Sequence, residues 1–218
     1  MTGDKAQDFV DYLEKKSGLK LKYKTKNGVT TITGSEKNKD FKGEVNKEFA
    51  KTVKDVAGAD GTAKFNVSAG QTNEKGELVF FDDNEAAFSS SSPFDSKSMR
   101  AGNVNMTSIQ SVDSQDSGLA MALVGHFVVE GLEMRAPGAN FDLGASGAHQ
   151  TGLEVERKIL SEALGTKQDK RFSPAYSATT GVPISFVYTT LQYDITIKSD
   201  GGAAVNRISP PTIARPKK

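Results

Sequence analysis

The chain is expected to fold as an α+β protein: an antiparallel or mixed sheet covered by helices, with two central helices and a C-terminal strand pair. Three observations predict this. The first 82 residues alternate helical and strand periods in the order helix, hairpin, helix, strands. Two long segments, Leu119–Arg135 and Ala148–Leu164, have helical period and meet across a loop rich in Gly, Ala and Pro. Near the end, Leu191, Tyr193, Ile195 and Ile197 alternate with polar neighbours, the two-residue period of a half-buried strand.

Taken in order, Asp4–Ser17 reads as an amphipathic helix with Ala6, Phe9, Val10 and Leu13 on one face, stopped by Gly18. Leu19–Thr25 and Val29–Thr33 are strands joined at Asn27-Gly28, a strong hairpin signal. Lys37–Ala57 is read as a second helix, because Phe41, Val45, Phe49, Val53 and Val56 recur at helical spacing. Thr62–Ser68 and Glu77–Asp82 are expected strands, separated by a polar turn ending at Lys75-Gly76. Asp83–Asp116 is expected to be a long loop region, with its serine run Ser89–Ser92, few large apolar residues and one short strand at Asn103–Ile109. Thr166–Gly181 is expected to be loop, and Pro183–Tyr188 and Leu191–Lys198 strands. Residues 1–200 thus form one expected α+β domain, and 201–218, bearing Gly, Pro and Lys, a flexible tail.

Composition excludes several function classes. Net charge is +1 with lysines and acids interspersed, which argues against nucleic acid as a partner. There is no cysteine, so disulfides, thiolate metal sites and cysteine nucleophiles are ruled out. No run of 18 apolar residues suggests a membrane span, and no signal-peptide pattern opens the chain. The serine run lacks a Gly-x-Ser-x-Gly context, and no Gly-x-x-x-x-Gly-Lys loop is present. Asp113, Asp116 and Asp142 match no metal-loop spacing. Lys167, Lys170 and Arg171, with Phe172 and Tyr176, read first as a solvated loop.

The chemistry concentrates in the two central helices. The chain has two histidines, His126 and His149, one in each helix. His126 and Glu130 are four residues apart and share a helix face, to which Glu133 returns. The rest of that helix is apolar nearly all round (Leu119, Met121, Leu123, Val124, Phe127, Val128, Val129, Leu132), so it is expected to be buried. Buried His and Glu side chains must be paired, hydrogen-bonded or bound to metal. In the second helix, Glu156 follows His149 by seven residues and lies within the apolar stripe of Val155, Ile159, Leu160 and Ala163. His126, Glu130 and His149 are therefore candidate ligands of a two-His, one-carboxylate zinc site, which leaves a position for water. Glu156 is the candidate base on that water or a fourth ligand, with Glu133 in reserve. A plainer account also fits: a His–Glu pair at i, i+4 is a common helix hydrogen bond, and Glu156 can pair with Arg157, Arg135 or Lys170.

His126-Phe127-Val128-Val129-Glu130 resembles the His-Glu-x-x-His helix of zincin metallopeptidases, with Phe127 at the catalytic glutamate's place and Glu130 at the second histidine's. More broadly, the pattern Gly125-His126-Phe127, Glu130, Gly147-Ala148-His149, Gly152-Leu153-Glu154, Glu156 and Leu160-Ser161-Glu162 resembles the variable C-terminal modules of RHS-type polymorphic toxins. This likeness covers roughly Leu119–Leu164 well and the rest of the chain loosely. It implies a bacterial effector, delivered into a target cell by a larger secreted carrier and paired with an immunity protein. The expected function is a toxin domain with a zincin-like, metal-dependent hydrolase site. Two alternatives stand beside it: a non-catalytic degenerate zincin-like module acting by binding or delivery, and a histidine-based nuclease toxin, which requires the basic loop to lie beside His149.

Overall fold

The computed structural model describes residues 1–60, 63–69, 71–72, 78–79, 81–82, 85–86, 88–90, 101–134, 147–168, 183–198, 200 and 202–208. The architecture is α+β. Helix α1 (Ala6–Ser17) ends at Gly18, whose positive φ of 65° lets its N–H return to the Glu14 carbonyl. Strands β1 (Leu19–Lys26) and β2 (Val29–Lys37) form the expected hairpin, with Asn27 and Gly28 both at positive φ, as a two-residue turn requires.

Helix α2 spans Lys47–Gly58, ten residues shorter at its start than the spacing of its apolar residues suggests. Residues up to Lys37 extend β2 instead, where Lys37 pairs with Leu19 at the base of the hairpin. Asn46 then sets the helix start, its side chain accepting the Phe49 N–H at 2.9 Å. Phe41 and Val45 lie in the loop before it and pack over Gly18, where even a methyl group would come within 2.7 Å of Val45. Their i, i+4 spacing arises from two loop residues covering one glycine.

Strand β3 (Lys64–Ser68) pairs in parallel with β9 (Ala101–Asn105), and β9 pairs antiparallel with β8 (Phe88–Ser90), making a mixed three-stranded sheet. The single strand expected over Glu77–Asp82 is split. β5 (Leu78–Val79) pairs with β4 (Gln71–Thr72), and β6 (Phe81–Asp82) with β7 (Glu85–Ala86). The turn expected at Lys75-Gly76 lies outside the described residues. The loop expected over Asp83–Asp116 also needs correction: it contains β7, β8, β9 and a ten-residue helix, α3 (Met106–Gln115), while 91–100 lies outside the described residues. Asn105 ends the strand and caps α3 by accepting the Ser108 N–H. Met106, Ile109 and Val112 then turn into the core.

Helix α4 (Ser117–Glu133) begins directly after α3, capped by Asp116, whose Oδ1 accepts the Leu119 N–H at 2.9 Å. It is buried continuously from Leu119 to Glu130, as its all-round apolar composition demands. Helix α5 (Ala148–Leu164) packs along it, and α2 and α3 flank it. The two central helices approach closely because Gly125 faces Ile159: a Cβ there would lie 2.3 Å from Ile159 Cδ1.

The C-terminal strand pair is a three-stranded antiparallel meander of β10 (Pro183–Val187), β11 (Gln192–Ile197) and β12 (Ala203–Ile208). β12 occupies the start of the expected tail. Ser111 and Gln115 of α3 hydrogen-bond its Ala203 and Val205 backbone, fastening a segment of weak intrinsic strand character. Residues 209–218 lie outside the described residues. Among the described residues, no helix is long and apolar enough to cross a membrane.

Candidate metal centre

The site lies where α4 and α5 cross. His126 and Glu130 stand one turn apart on α4 and are 4 % and 6 % exposed; Glu156 of α5 is fully buried. Gly152 lets the helices meet at this level. A Cβ at position 152 would lie 2.3 Å from His126 Cδ2 and 2.8 Å from its Nε2, so only a glycine leaves room for the imidazole.

His126 is held at both ring nitrogens. Its Nδ1 lies within hydrogen-bond distance of Glu156 Oε2, at 2.6 Å, and its Nε2 of Glu130 Oε2, at 3.0 Å. His149, in the first turn of α5, donates from Nδ1 to the same Glu130 oxygen, also at 3.0 Å. The two imidazoles lie 5.0 Å apart between centroids, tilted by 53°. The other Glu156 oxygen, Oε1, accepts the Tyr188 hydroxyl at 2.5 Å. One chain of polar contacts therefore runs Tyr188–Glu156–His126–Glu130–His149.

Burial would raise the Glu130 carboxyl, but the hydrogen bonds and positive charge of His126 and His149 outweigh it and hold the group down at about 2. Glu130 is an anion throughout the neutral range. Carboxylates thus lie against both nitrogens of His126, Glu156 at Nδ1 and Glu130 at Nε2. A metal bound at Nε2 requires that nitrogen to be free of its proton.

The donor atoms of His126, Glu130 and His149 lie within 4.8 Å of one another, and this group could hold a metal ion. The donor set, two imidazoles and one carboxylate, suits a divalent transition metal. Its open side is at His149, whose side chain is 31 % exposed, against 5 % and 7 % for His126 and Glu130.

Two of the expected site residues stand outside the group of three. Glu156, the candidate base or fourth ligand, lies on the Nδ1 edge of His126, with Oε2 against Nδ1 and Oε1 accepting the Tyr188 hydroxyl. Glu133 shares the His126 face but is seven residues, about 10 Å, further along the axis. It is exposed at the last residue of α4, outside the group. Phe127, at the zincin glutamate's place, is buried with its ring 5.0 Å from that of Phe65, so it belongs to the core.

The remaining candidates separate from this centre. Asp113 pairs with Lys16 at 2.6 Å, and Asp116 caps α4; Asp142 lies outside the described residues. Lys167 lines a groove with Lys47, Arg157 and Lys158 at the far end of α5 from His149. It is therefore not beside His149 as the nuclease alternative requires; Lys170, Arg171, Phe172 and Tyr176 lie outside the described residues. Tyr188, placed at the end of an expected strand, and Gly152, part of the motif pattern, carried no site role in the sequence. A glycine inside a helical pattern was the available signal for Gly152. Nothing local marked Tyr188.

No protein-family model, curated protein or solved structure matches this chain.

Proposed function

We propose that the protein is a metal-dependent hydrolase domain whose metal, zinc in the first instance, is held by His126, Glu130 and His149. The observation that carries this reading is convergence. The chain's two histidines, from two helices, point one nitrogen each at a single buried carboxylate oxygen of Glu130, 3.0 Å from both. Three protein ligands are the number a catalytic zinc site uses while retaining a position for water. Such a metal supplies a nucleophilic hydroxide near neutral pH and polarises a carbonyl or phosphoryl oxygen. The protein's own part is to fix three donors where α4 and α5 cross and to keep Glu130 ionised. As the resemblance to RHS-type modules implies, the domain acts as a toxin delivered by a carrier, with an immunity protein encoded beside it.

The test is metal analysis of the purified chain together with alanine variants. Wild type is expected to carry or take up one zinc per chain. His126→Ala and His149→Ala are each expected to abolish stoichiometric zinc and any toxicity in a susceptible cell. Wild-type protein that takes up no divalent metal would remove the hydrolase reading.

A second reading has its own support. Each member of the cluster already has a hydrogen-bond partner within the protein, and Phe127 replaces the zincin glutamate. On that reading the module is non-catalytic, acts by binding or delivery, and uses the cluster as a buried polar network. It is distinguished by absence of metal uptake and by Glu130→Gln costing only stability, about 1–3 kcal/mol.

A further inference from the structure

Resting on the metal reading above, we infer that Glu156 and Tyr188 are positioning residues that set the His126 ring so that Nε2 is its metal-binding atom. Glu156 is fully buried, within a stripe otherwise apolar, where a carboxylate needs a specific reason to persist. Its two oxygens face different elements. Oε2 accepts the His126 Nδ1–H at 2.6 Å, and Oε1 accepts the hydroxyl of Tyr188, which directly follows β10.

The Tyr188 contact matters because it aims the carboxylate. Tyr188 is itself 2 % exposed, and its ring meets Tyr193 edge-on at 6.0 Å between centroids, so the hydroxyl is delivered from a packed wall. With one oxygen held, the other is presented to Nδ1. A proton kept at Nδ1 leaves the lone pair of the metal-binding imidazole at Nε2, which is the nitrogen beside Glu130 Oε2. Gly152 closes the remaining freedom by seating the ring edge between Cδ2 and Nε2 against α5. His126 thus approaches the metal already oriented.

The experiment compares zinc affinity, by chelator competition, in the full chain and its Glu156→Gln and Tyr188→Phe variants. It adds 15N detection of the His126 tautomer in the zinc-loaded proteins and circular dichroism of each metal-free protein. Glu156→Gln is expected to weaken zinc binding about 10–100-fold, the usual effect of removing a carboxylate behind a metal-bound histidine. The folded spectrum should be retained. Tyr188→Phe should weaken binding in the same direction by a smaller factor. The zinc-loaded wild type should show protonated Nδ1 and metal at Nε2. Zinc affinity within twofold of wild type in both variants, or metal at Nδ1, overturns the inference while leaving the metal site standing. If Glu156→Gln does not fold, Tyr188→Phe decides the matter, since it removes one hydroxyl. No zinc uptake by wild type overturns the metal reading, and this inference with it.

Discussion

Gly152→Ala should damage both the fold and the metal centre, although the same change usually stabilises a helix. In an open helix interior, Ala is favoured over Gly by about 0.8–1 kcal/mol. Position 152 is not open. The added Cβ would stand 2.3 Å from His126 Cδ2 and 2.8 Å from Nε2, against about 3.5–4.0 Å for an unstrained carbon contact. More than 1 Å must come from movement, and the ring is poorly placed to move. Glu156 holds its Nδ1 at 2.6 Å and Glu130 its Nε2 at 3.0 Å. The alternative is a shift of α5, whose Ile159 is already seated against Gly125 of α4. Overpacking of this kind costs about 1–3 kcal/mol, which offsets or outweighs the propensity gain. The expected net loss is up to about 2 kcal/mol by urea denaturation. Zinc affinity should fall about tenfold or more, because 1.4 kcal/mol of lost ligand geometry is already a factor of ten. Gly58→Ala is the control, since nothing lies within 4 Å of a Cβ at that exposed end of α2. A Gly152→Ala protein as stable as the Gly58→Ala control, with wild-type zinc affinity, would show that the close approach at His126 is not a constraint.

Two further predictions concern stability alone. Glu130 is held at about 2 against an ordinary 4.5, so the folded state binds the proton less readily than the unfolded chain. Its contribution is therefore present above pH 4.5 and lost as pH falls toward 2, and amounts to about 3 kcal/mol at 1.36 kcal/mol per pH unit. Metal-free wild type should lose more stability between pH 6 and pH 3 than Glu130→Gln does; equal losses in the two proteins would contradict it. Asn46→Ala should cost about 2 kcal/mol. The side chain, 9 % exposed, both accepts the Phe49 N–H that starts α2 and donates to the Ile159 carbonyl of α5. Urea denaturation checks this, and a loss below about 0.5 kcal/mol would mean that the two bonds are replaced by water.

What the sequence determines here is whatever depends on neighbours within a few residues. Gly18 stops α1 and Asn27-Gly28 closes the hairpin because each supplies a backbone conformation that few other residues adopt. The apolar run of α4 forces burial, and i, i+4 spacing alone places His126 beside Glu130 on one face. The pairing of Glu130 with both histidines also follows, once α4 and α5 are taken to face one another.

Tertiary structure decided the rest, wherever a backbone or side chain took its partner from far along the chain. The start of α2 moved from Lys37 to Lys47 because Lys37 has a strand partner at Leu19. β12 exists where a tail was expected because Ser111 and Gln115 satisfy its backbone from about 90 residues away. Glu156 meets His126 at Nδ1, the contact from which a supporting role, and not a base, is inferred above. The choice between those roles depends on which edge of the imidazole it meets, and on a tyrosine 32 residues further on that turns its other oxygen away. Hydrogen bonds over such separations leave no period in the sequence. They appear only when packing brings a buried donor within reach of the acceptor it needs.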